Sequence, residues 1–515
     1  MTNRYVESSN QKYTFWITIL VGLTTYLYLF TNNLNNYDNM EVTPEGVGTG
    51  LTSGRWFLMV VAKFIEVIWG GTYNVPLFNG LVTIVVLAVS SCVLIRVLEI
   101  GNPYLCSLIG VITVVYPTIA ASMLFSYTVG YYAFAISFMV FGIAFIKYGK
   151  WYTLLAGAFF MCCSLGIYQG YLPYAIGIMV IVLMKMCMDE RRSFQEIFYK
   201  GMQMVIALVV SYVMYRVILE VCLWMKGEQL SQYKGVDHMG VIDTTSIWEQ
   251  ITSIYHSMIW ITYTNYASLS GTVMVRMGYV MMYALIIGST CCLWKTKWKK
   301  KEERLKGCLF LLLLLLFPIA VNFMMIMVSE GIYVLMQLGF VTIFYLGIVV
   351  VDSLVNRTSS FETIWQKKRK EYILFLTVFT ISVTGLNYAW QSNVNYRALY
   401  YSNRQVEHYY DLLYTRIKMS EGYSKEKRIY FIGTTIIDPT LHSPSWEYPF
   451  EYVGNTMTIN DYSREKAIAH YLGYEYERIS YALYETYESK IKSMNTYPDD
   501  FSILVIDDVV LVRLE

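Results

Sequence analysis

Apolar residues recur in long blocks along most of the chain, with short polar segments between them. Windows of roughly 19 residues, enough for a helix to cross a bilayer, locate about eleven such blocks. The predicted spans cover residues 13–30, 76–95, 104–121, 122–146, 151–166, 171–188, 202–224, 272–294, 308–328, 332–351 and 372–390. The pattern predicts a polytopic α-helical membrane protein. A chain of 515 residues with 56% hydrophobic and 15% charged residues agrees with that class.

The stretch 55–69 is also apolar but has a different period. Arg55, Lys63 and Glu66 fall at helical offsets on one face, and large apolar side chains occupy the opposite face. This pattern predicts a helix that lies flat in the membrane interface.

Basic residues fix the orientation of the predicted spans. If 55–69 lies flat, four basic loops fall on one side, which the positive-inside rule makes cytoplasmic. These loops contain Lys147 and Lys150, then Arg191, Arg192 and Lys200, then Lys295 through Lys306, and finally Lys367 through Lys370. We therefore expect a cytoplasmic N-terminus, external loops at 32–75 and 225–271, and a C-terminal region outside.

The composition changes sharply after residue 390. Segments 428–433 and 501–506 have the pattern of strands, and Asp507 and Asp508 form a predicted turn into 509–514. The prediction is a transmembrane domain over 1–390 and a small extracytoplasmic α/β domain over 391–515.

Several common kinds of site have no support in the sequence. The nine cysteines lack CxxC or Cys/His spacing, which indicates free thiols packed in helices. The chain also lacks GxxxxGK[ST], HExxH and GxSxG, so ATP-driven transport, zinc proteolysis and elbow-type hydrolysis are not indicated.

The first external loop carries three acids, Asp38, Glu41 and Glu45, directly after the first span. A carboxylate at the membrane surface can accept the proton of a hydroxyl nucleophile, which makes Asp38 the first candidate for a general base. A solvated loop acid is the plain alternative for a single aspartate. A dense cluster favours a function, which could be to tune the base, hold a cation or bind sugar hydroxyls.

Further polar residues reach the same outer face once the orientation is fixed. Arginines near span ends suit a lipid phosphate, although snorkelling or an Arg216–Glu220 ion pair would also explain Arg216. The candidate substrate-binding residues are Arg55, Tyr168, Gln169, Arg216, Arg276, Asn322 and Glu330. A polar pocket at one leaflet suits chemistry on a lipid-linked substrate better than conduction, which needs polar residues at all depths.

Four short motifs carry a resemblance to a known family. They are YDN at 37–39, SGRW at 53–56, GIYQGY at 166–171 and FPIAVN at 317–322, followed by a short C-terminal domain that ends in a strand pair. Together they resemble the bacterial glucosyl transferases typified by the O-antigen serotype-converting Gtr enzymes of type II. The resemblance covers most of the chain and implies a GT-C-type fold in the bacterial plasma membrane.

The resemblance implies transfer of a sugar, glucose in this family, from a polyprenyl-phosphate donor to a cell-surface glycan outside the membrane. It also implies that Asp38 is the catalytic base. The family often has two adjacent acids, whereas Asn39 follows Asp38 here, so either Glu41 fills the second position or one acid is enough. No metal and no cofactor are expected. The expected partners are the lipid-linked donor, the glycan acceptor, membrane lipids, a flippase and a polyprenyl-phosphate sugar synthase, with no nucleic acid.

In the mechanism expected from this resemblance, Arg216, Arg276 or Arg55 stabilises the leaving lipid phosphate, while Gln169, Tyr168 and Asn322 seat the sugar. Two other classes stay open at this point. A polysaccharide flippase would need polar residues through the bilayer midplane. A glycan polymerase or ligase would share the outer pocket but use a lipid-diphosphate oligosaccharide.

Overall fold

A computed structural model describes residues 2–42, 47, 50–232, 247–294, 301–328, 332–356, 363–433, 452, 459–460 and 462–514, without the side chains of residues 2–7 and 301. Within these ranges, nine helices are long and apolar enough to cross a membrane, and a bent helix pair makes a tenth if it is one span. Glu45 and Glu330 lie outside the described residues. The count of eleven spans and the division at residue 390 stay predictions.

Most of the predicted apolar blocks correspond to α-helices of the structure. The α-helices are α1 (Thr2–Thr31), α2 (Tyr37–Val42), α3 (Trp56–Trp69), α4 (Pro76–Val97), α5 (Pro103–Val115), α6 (Pro117–Met123), α7 (Val129–Tyr148), α8 (Trp151–Leu165), α9 (Leu172–Met188), α10 (Phe194–Lys226), α11 (Ile247–Tyr263), α12 (Val273–Trp294), α13 (Lys301–Val321), α14 (Met324–Met327), α15 (Thr342–Val355), α16 (Ile364–Met419), α17 (Arg464–Lys466) and α18 (Tyr481–Ser493).

Several predicted spans are bent or shortened. The predicted span 104–121 is the pair α5 and α6, which meet at 45°. Tyr116 between them is extended, because proline disfavours a helical residue before it and Pro117 starts the next helix. The predicted span 308–328 breaks at Val321, and 332–351 becomes α-helical only at Thr342 after two 3₁₀ turns.

Helix α3 forms in the stretch for which an interfacial helix was predicted, and its position in the membrane interface stays a prediction. Its 14 residues reach about 21 Å, which is shorter than a bilayer core. Phe64 and Val67 are 65% and 77% exposed, and Lys63 pairs with Glu66 at 2.9 Å. Arg55 precedes the helix and turns towards Tyr132.

Helix α16 has 56 residues and crosses position 390 without a break. Its distal part packs through Tyr410 and Leu413 beneath a four-stranded sheet of order β2-β1-β4-β3. The strands are β1 (Arg428–Ile432), β2 (Glu477–Arg478), β3 (Ile503–Ile506) and β4 (Val509–Arg513). β3 and β4 form an antiparallel hairpin around Asp507 and Asp508, which confirms the predicted strand pair. We call the described residues from Asn403 to Leu514 the C-terminal module.

Lysines gather at one end of the helix bundle. Lys200 Nζ donates to the Lys147 carbonyl at 3.1 Å, and Lys306 Nζ donates to the Asp189 carbonyl at 3.1 Å. The first contact joins the ends of α7 and α10, and the second joins the end of α9 to α13. The chain between α1 and α4, which carries Asp38 and Arg55, lies at the opposite end.

Candidate functional site

Helix α2 holds the acidic residues in a fixed place. The Asn36 side chain accepts the Asn39 backbone N–H at 3.0 Å and so caps the helix. The buried Asn39 side chain donates to the Leu124 carbonyl at 2.7 Å and accepts from the Ser126 hydroxyl at 3.1 Å. Asn39 therefore anchors α2 to the turn at 124–128.

We expect Asn39→Asp to destabilise the protein rather than to supply a second acid. The new carboxylate would replace a buried N–H donor and face the Leu124 carbonyl, at a cost of about 3 kcal/mol. Asn32→Asp is the matched control, since Asn32 donates to the Tyr28 carbonyl at 2.8 Å in an exposed position. Thermal unfolding in detergent should show a large fall in Tm for Asn39→Asp only; equal shifts would contradict the anchoring role.

Asp38 and Glu41 lie one helical turn apart on α2 and both contact the C-terminal module. The Tyr462 hydroxyl donates to Asp38 Oδ1, and Lys466 Nζ pairs with Glu41 Oε1 at 2.9 Å. Asp38 is half-buried, so its carboxylate is held by the protein while part of it stays accessible.

Arg55 lies in an aromatic pocket behind α2. Its Nη1 donates to the Tyr132 hydroxyl at 3.1 Å, and its guanidinium lies 5.2 Å from the centre of the Tyr168 ring. In the part of the chain that the structure describes, Arg55 forms no ion pair, and its Nε and the Tyr168 hydroxyl are buried without a hydrogen-bond partner. A guanidinium and a hydroxyl that are buried with unused hydrogen-bonding capacity suit an anionic, oxygen-rich ligand.

The turn Gly54–Arg55 depends on glycine and on the GIYQGY segment. Gly54 has φ of 75°, and a Cβ there would lie 2.6 Å from Gln169 Nε2. Gln169 Nε2 donates to the Ser53 carbonyl at 3.1 Å and to the Tyr215 hydroxyl at 2.8 Å. Gln169 therefore supports Arg55 by holding the turn before it, and Tyr168 lines the pocket directly.

Tyr127 connects the two parts of the site. It lies in the turn at 124–128, where burial, Tyr132 and the Asp38 carboxylate raise its pKa and the Arg55 guanidinium lowers it. The phenol is therefore protonated at neutral pH, and the charges of both Asp38 and Arg55 act on it. Tyr127 is thus close enough to both Asp38 and Arg55 to be affected by their charges, and we call these three residues the polar surface.

The remaining candidates lie apart from that surface or beside it. Arg216 pairs with Glu220 at 2.7 Å, as the ion-pair alternative requires, and lines a small pocket with Gln169. Arg276 Nη1 donates to the Tyr263 carbonyl at 2.7 Å. Asn322 is buried and donates to the Ser257 and Tyr266 hydroxyls, both at 3.2 Å.

Sequence reasoning missed Tyr127, Tyr132, Tyr462 and Lys466. These residues come from two distant segments, 127–132 and 462–466, and the sequence has 47 tyrosines, so no local signal separated the site tyrosines from the others. Among the described residues, no three His, Cys, Asp or Glu side chains are grouped to hold a metal ion. The expectation that no metal is needed stays a prediction.

An apolar groove of about 490 Å³ runs between α3, α4 and α7. Its walls include Phe64, Trp69, Phe78 and Phe134, and Tyr127 lines it as well. Phe64, Trp69 and Phe78 are 65%, 58% and 46% exposed, so the groove opens to the surroundings of the bundle. Tyr127 therefore belongs both to the groove and to the polar surface.

A comparison with protein families finds a match. The model of the family described as glucosyl transferase GtrII matches residues 27–351, which include α2, the Arg55 pocket and the groove. No curated protein and no solved structure matches the chain.

Proposed function

Because the chain belongs to the GtrII glucosyl transferase family, we propose that it moves glucose from a polyprenyl-phosphate donor to a cell-surface glycan at the outer face of the bacterial plasma membrane. The family match and the apolar helices make it a membrane glucosyl transferase. The donor, the acceptor and the side of the membrane are parts of the proposal.

The observation that carries the proposal is the meeting of the apolar groove with the polar surface at Tyr127. A polyprenyl-phosphate sugar is apolar at one end, anionic next to it and hydroxyl-rich at the other end. The aromatic walls of the groove can pack against the polyprenyl chain, and the Arg55 guanidinium can bind the phosphate. A single amphipathic donor would therefore occupy the groove and reach the polar surface.

Charge pairing favours Arg55 over Arg216 as the phosphate ligand, and the proximity to Tyr127 favours Arg55 over Arg276. Arg216 is neutralised by Glu220 at 2.7 Å, and the Arg276 guanidinium donates to the Tyr263 carbonyl. Among the described residues, Arg55 instead contacts tyrosine side chains and no carboxylate. Its charge is therefore available to a phosphate that gains negative charge as it leaves.

In the proposed reaction, Asp38 accepts the proton of the acceptor hydroxyl. The hydroxyl oxygen bonds to the anomeric carbon while the bond from that carbon to the phosphate oxygen breaks, and the electron pair leaves with the lipid phosphate. Attack opposite the leaving group inverts the anomeric centre. Glu41 lies one turn away and is the second candidate for the base.

The outer location rests on the position of the basic loops. Lys147, Lys200 and Lys306 lie at the end of the bundle opposite Asp38 and Arg55. The positive-inside rule favours the cytoplasm for the basic end. The acidic helix and the C-terminal module would then face outwards, where a surface glycan is available.

A substitution in the groove tests the lipid-linked donor. A Cβ added at Gly130 meets nothing within 4 Å and Gly130 lines the groove, so Gly130→Leu should narrow the groove. We expect the KM for a long-chain polyprenyl-phosphate-glucose to rise about tenfold, since several apolar contacts are lost. The KM for a short-chain analogue should change much less.

Gly288→Leu on α12 is the control, because a Cβ there also meets nothing within 4 Å and Gly288 is outside the groove. It should leave both KM values unchanged. An unchanged long-chain KM in Gly130→Leu, or equal losses for long and short donors, would remove the groove from donor binding.

A further inference from the structure

One segment of the C-terminal module covers the acidic helix α2. Besides the contacts of Tyr462 with Asp38 and of Lys466 with Glu41, the Tyr37 and Tyr462 rings pack edge to face at 6.0 Å. Met40, which is 1% exposed, is part of the same hydrophobic cluster as Tyr410 and Phe431 of the module. The position of α2 is therefore tied to the module as well as to the bundle.

Tyr462 is presented on a fixed turn. The Asn460 backbone N–H donates to Ser463 Oγ at 2.9 Å, and the Ser463 N–H donates to Asn460 Oδ1 at 3.1 Å. Ser463 is fully buried. Because Asn460 and Ser463 hold each other in this way close to Tyr462, its hydroxyl approaches Asp38 from a defined direction.

We propose that Tyr462 is a positioning residue for Asp38, and hence that the C-terminal module is part of the catalytic unit rather than a separate attachment. The inference rests on the proposed function, in which Asp38 is the base. Residues 462 and 466 lie outside the region that matches the family, which ends at residue 351.

The hydrogen bond would act in two ways. A hydroxyl that donates to a carboxylate favours its charged form, which is the form that accepts a proton. It also fixes the rotation of the carboxylate, so that one oxygen is directed towards the acceptor. Burial and the Asp38 carboxylate raise the pKa of Tyr462, so the phenol keeps its proton at neutral pH and does not compete as a base.

Other charged or titratable groups surround Asp38 and must stay constant in the test. Glu41 and Tyr37 share its helix, Tyr127 approaches from the turn at 124–128, and Lys466 approaches from the module. Tyr462→Phe leaves all of them in place and keeps the aromatic ring against Tyr37. The substitution removes only the donor.

The test compares Tyr462→Phe with Tyr474→Phe in the full-length protein. Tyr474 donates to Asp411 at 2.6 Å, so the control removes a similar tyrosine–aspartate bond in the same module away from α2. Glucose transfer from undecaprenyl-phosphate-glucose to envelope glycan is measured across pH. We expect Tyr462→Phe to lower kcat/KM about tenfold at neutral pH and to move the acidic limb of its pH profile to higher pH.

Each outcome decides the matter. A fall with a displaced acidic limb, and a wild-type profile for Tyr474→Phe, supports the positioning role. A fall without displacement means that the hydroxyl stabilises the structure around α2 without acting on the ionisation of Asp38. An unchanged rate means that Asp38 does not need the hydroxyl. Both overturn the inference. No transfer by the wild type would instead overturn the proposed function, so the two failures are distinguishable.

Discussion

Asp38→Asn is expected to reduce glucose transfer by a factor of about 10² to 10⁴, the range for loss of a general base. The amide keeps an oxygen that can accept from the Tyr462 hydroxyl, so α2 should stay in place. It cannot take the proton of the acceptor hydroxyl. Label transferred from polyprenyl-phosphate-glucose, in membranes with matched amounts of each protein, measures the effect.

Asp411→Asn is the matched control, because Asp411 accepts from Tyr474 in the same kind of pair on α16. It should transfer glucose at the wild-type rate. If Asp38→Asn is as active as the wild type and Glu41→Gln is inactive, the base is Glu41. If both variants are active, α2 does not supply the base and the proposed mechanism is wrong.

Arg55→Gln is expected to lower kcat/KM about 10² to 10³-fold, since it removes the one cation of the aromatic pocket within the described residues. Arg55→Lys should fall between this variant and the wild type, because it keeps the charge but loses the planar fork. Both the donor KM and kcat should be affected if the charge acts on the bound phosphate and on the leaving phosphate.

Arg216→Gln is the comparison that decides between the arginines. Arg216 is already paired with Glu220 and partly exposed, so its loss should change kcat/KM by less than about threefold. A larger loss of kcat/KM in Arg216→Gln than in Arg55→Gln would indicate that the phosphate binds in the small pocket beside Gln169. Thermal unfolding of each variant in detergent separates a loss of activity from a loss of folding.

Much of the fold follows from local patterns. The helical period of 55–69 predicted an interfacial helix, and alternation around Asp507 and Asp508 predicted the hairpin of β3 and β4. The bends were not visible in hydropathy windows, which average over a proline such as Pro117. The single long helix α16 was also not expected, because a window reports where the apolar part ends and not where the helix ends.

Less of the candidate site could be predicted, because the site depends on long-range contacts. The sequence drew attention to Asp38, Arg55 and Gln169 through the loop that follows the first span. It gave no reason to place Tyr462 next to Asp38, because 424 positions separate the two residues. Asn39 was interpreted as a missing acid, whereas its buried hydrogen bonds show a structural role that only the turn at 124–128 explains.

In the proposed function, the glucose comes from a lipid monophosphate. The most direct test uses the purified full-length protein in liposomes with labelled glucose on polyprenyl phosphate, on a nucleoside diphosphate, or within a lipid-diphosphate oligosaccharide, each with envelope glycan as acceptor. We expect label in the glycan from the first donor alone, with one polyprenyl phosphate released for each glucose transferred. Transfer from either of the other donors, with none from the monophosphate, would contradict the account.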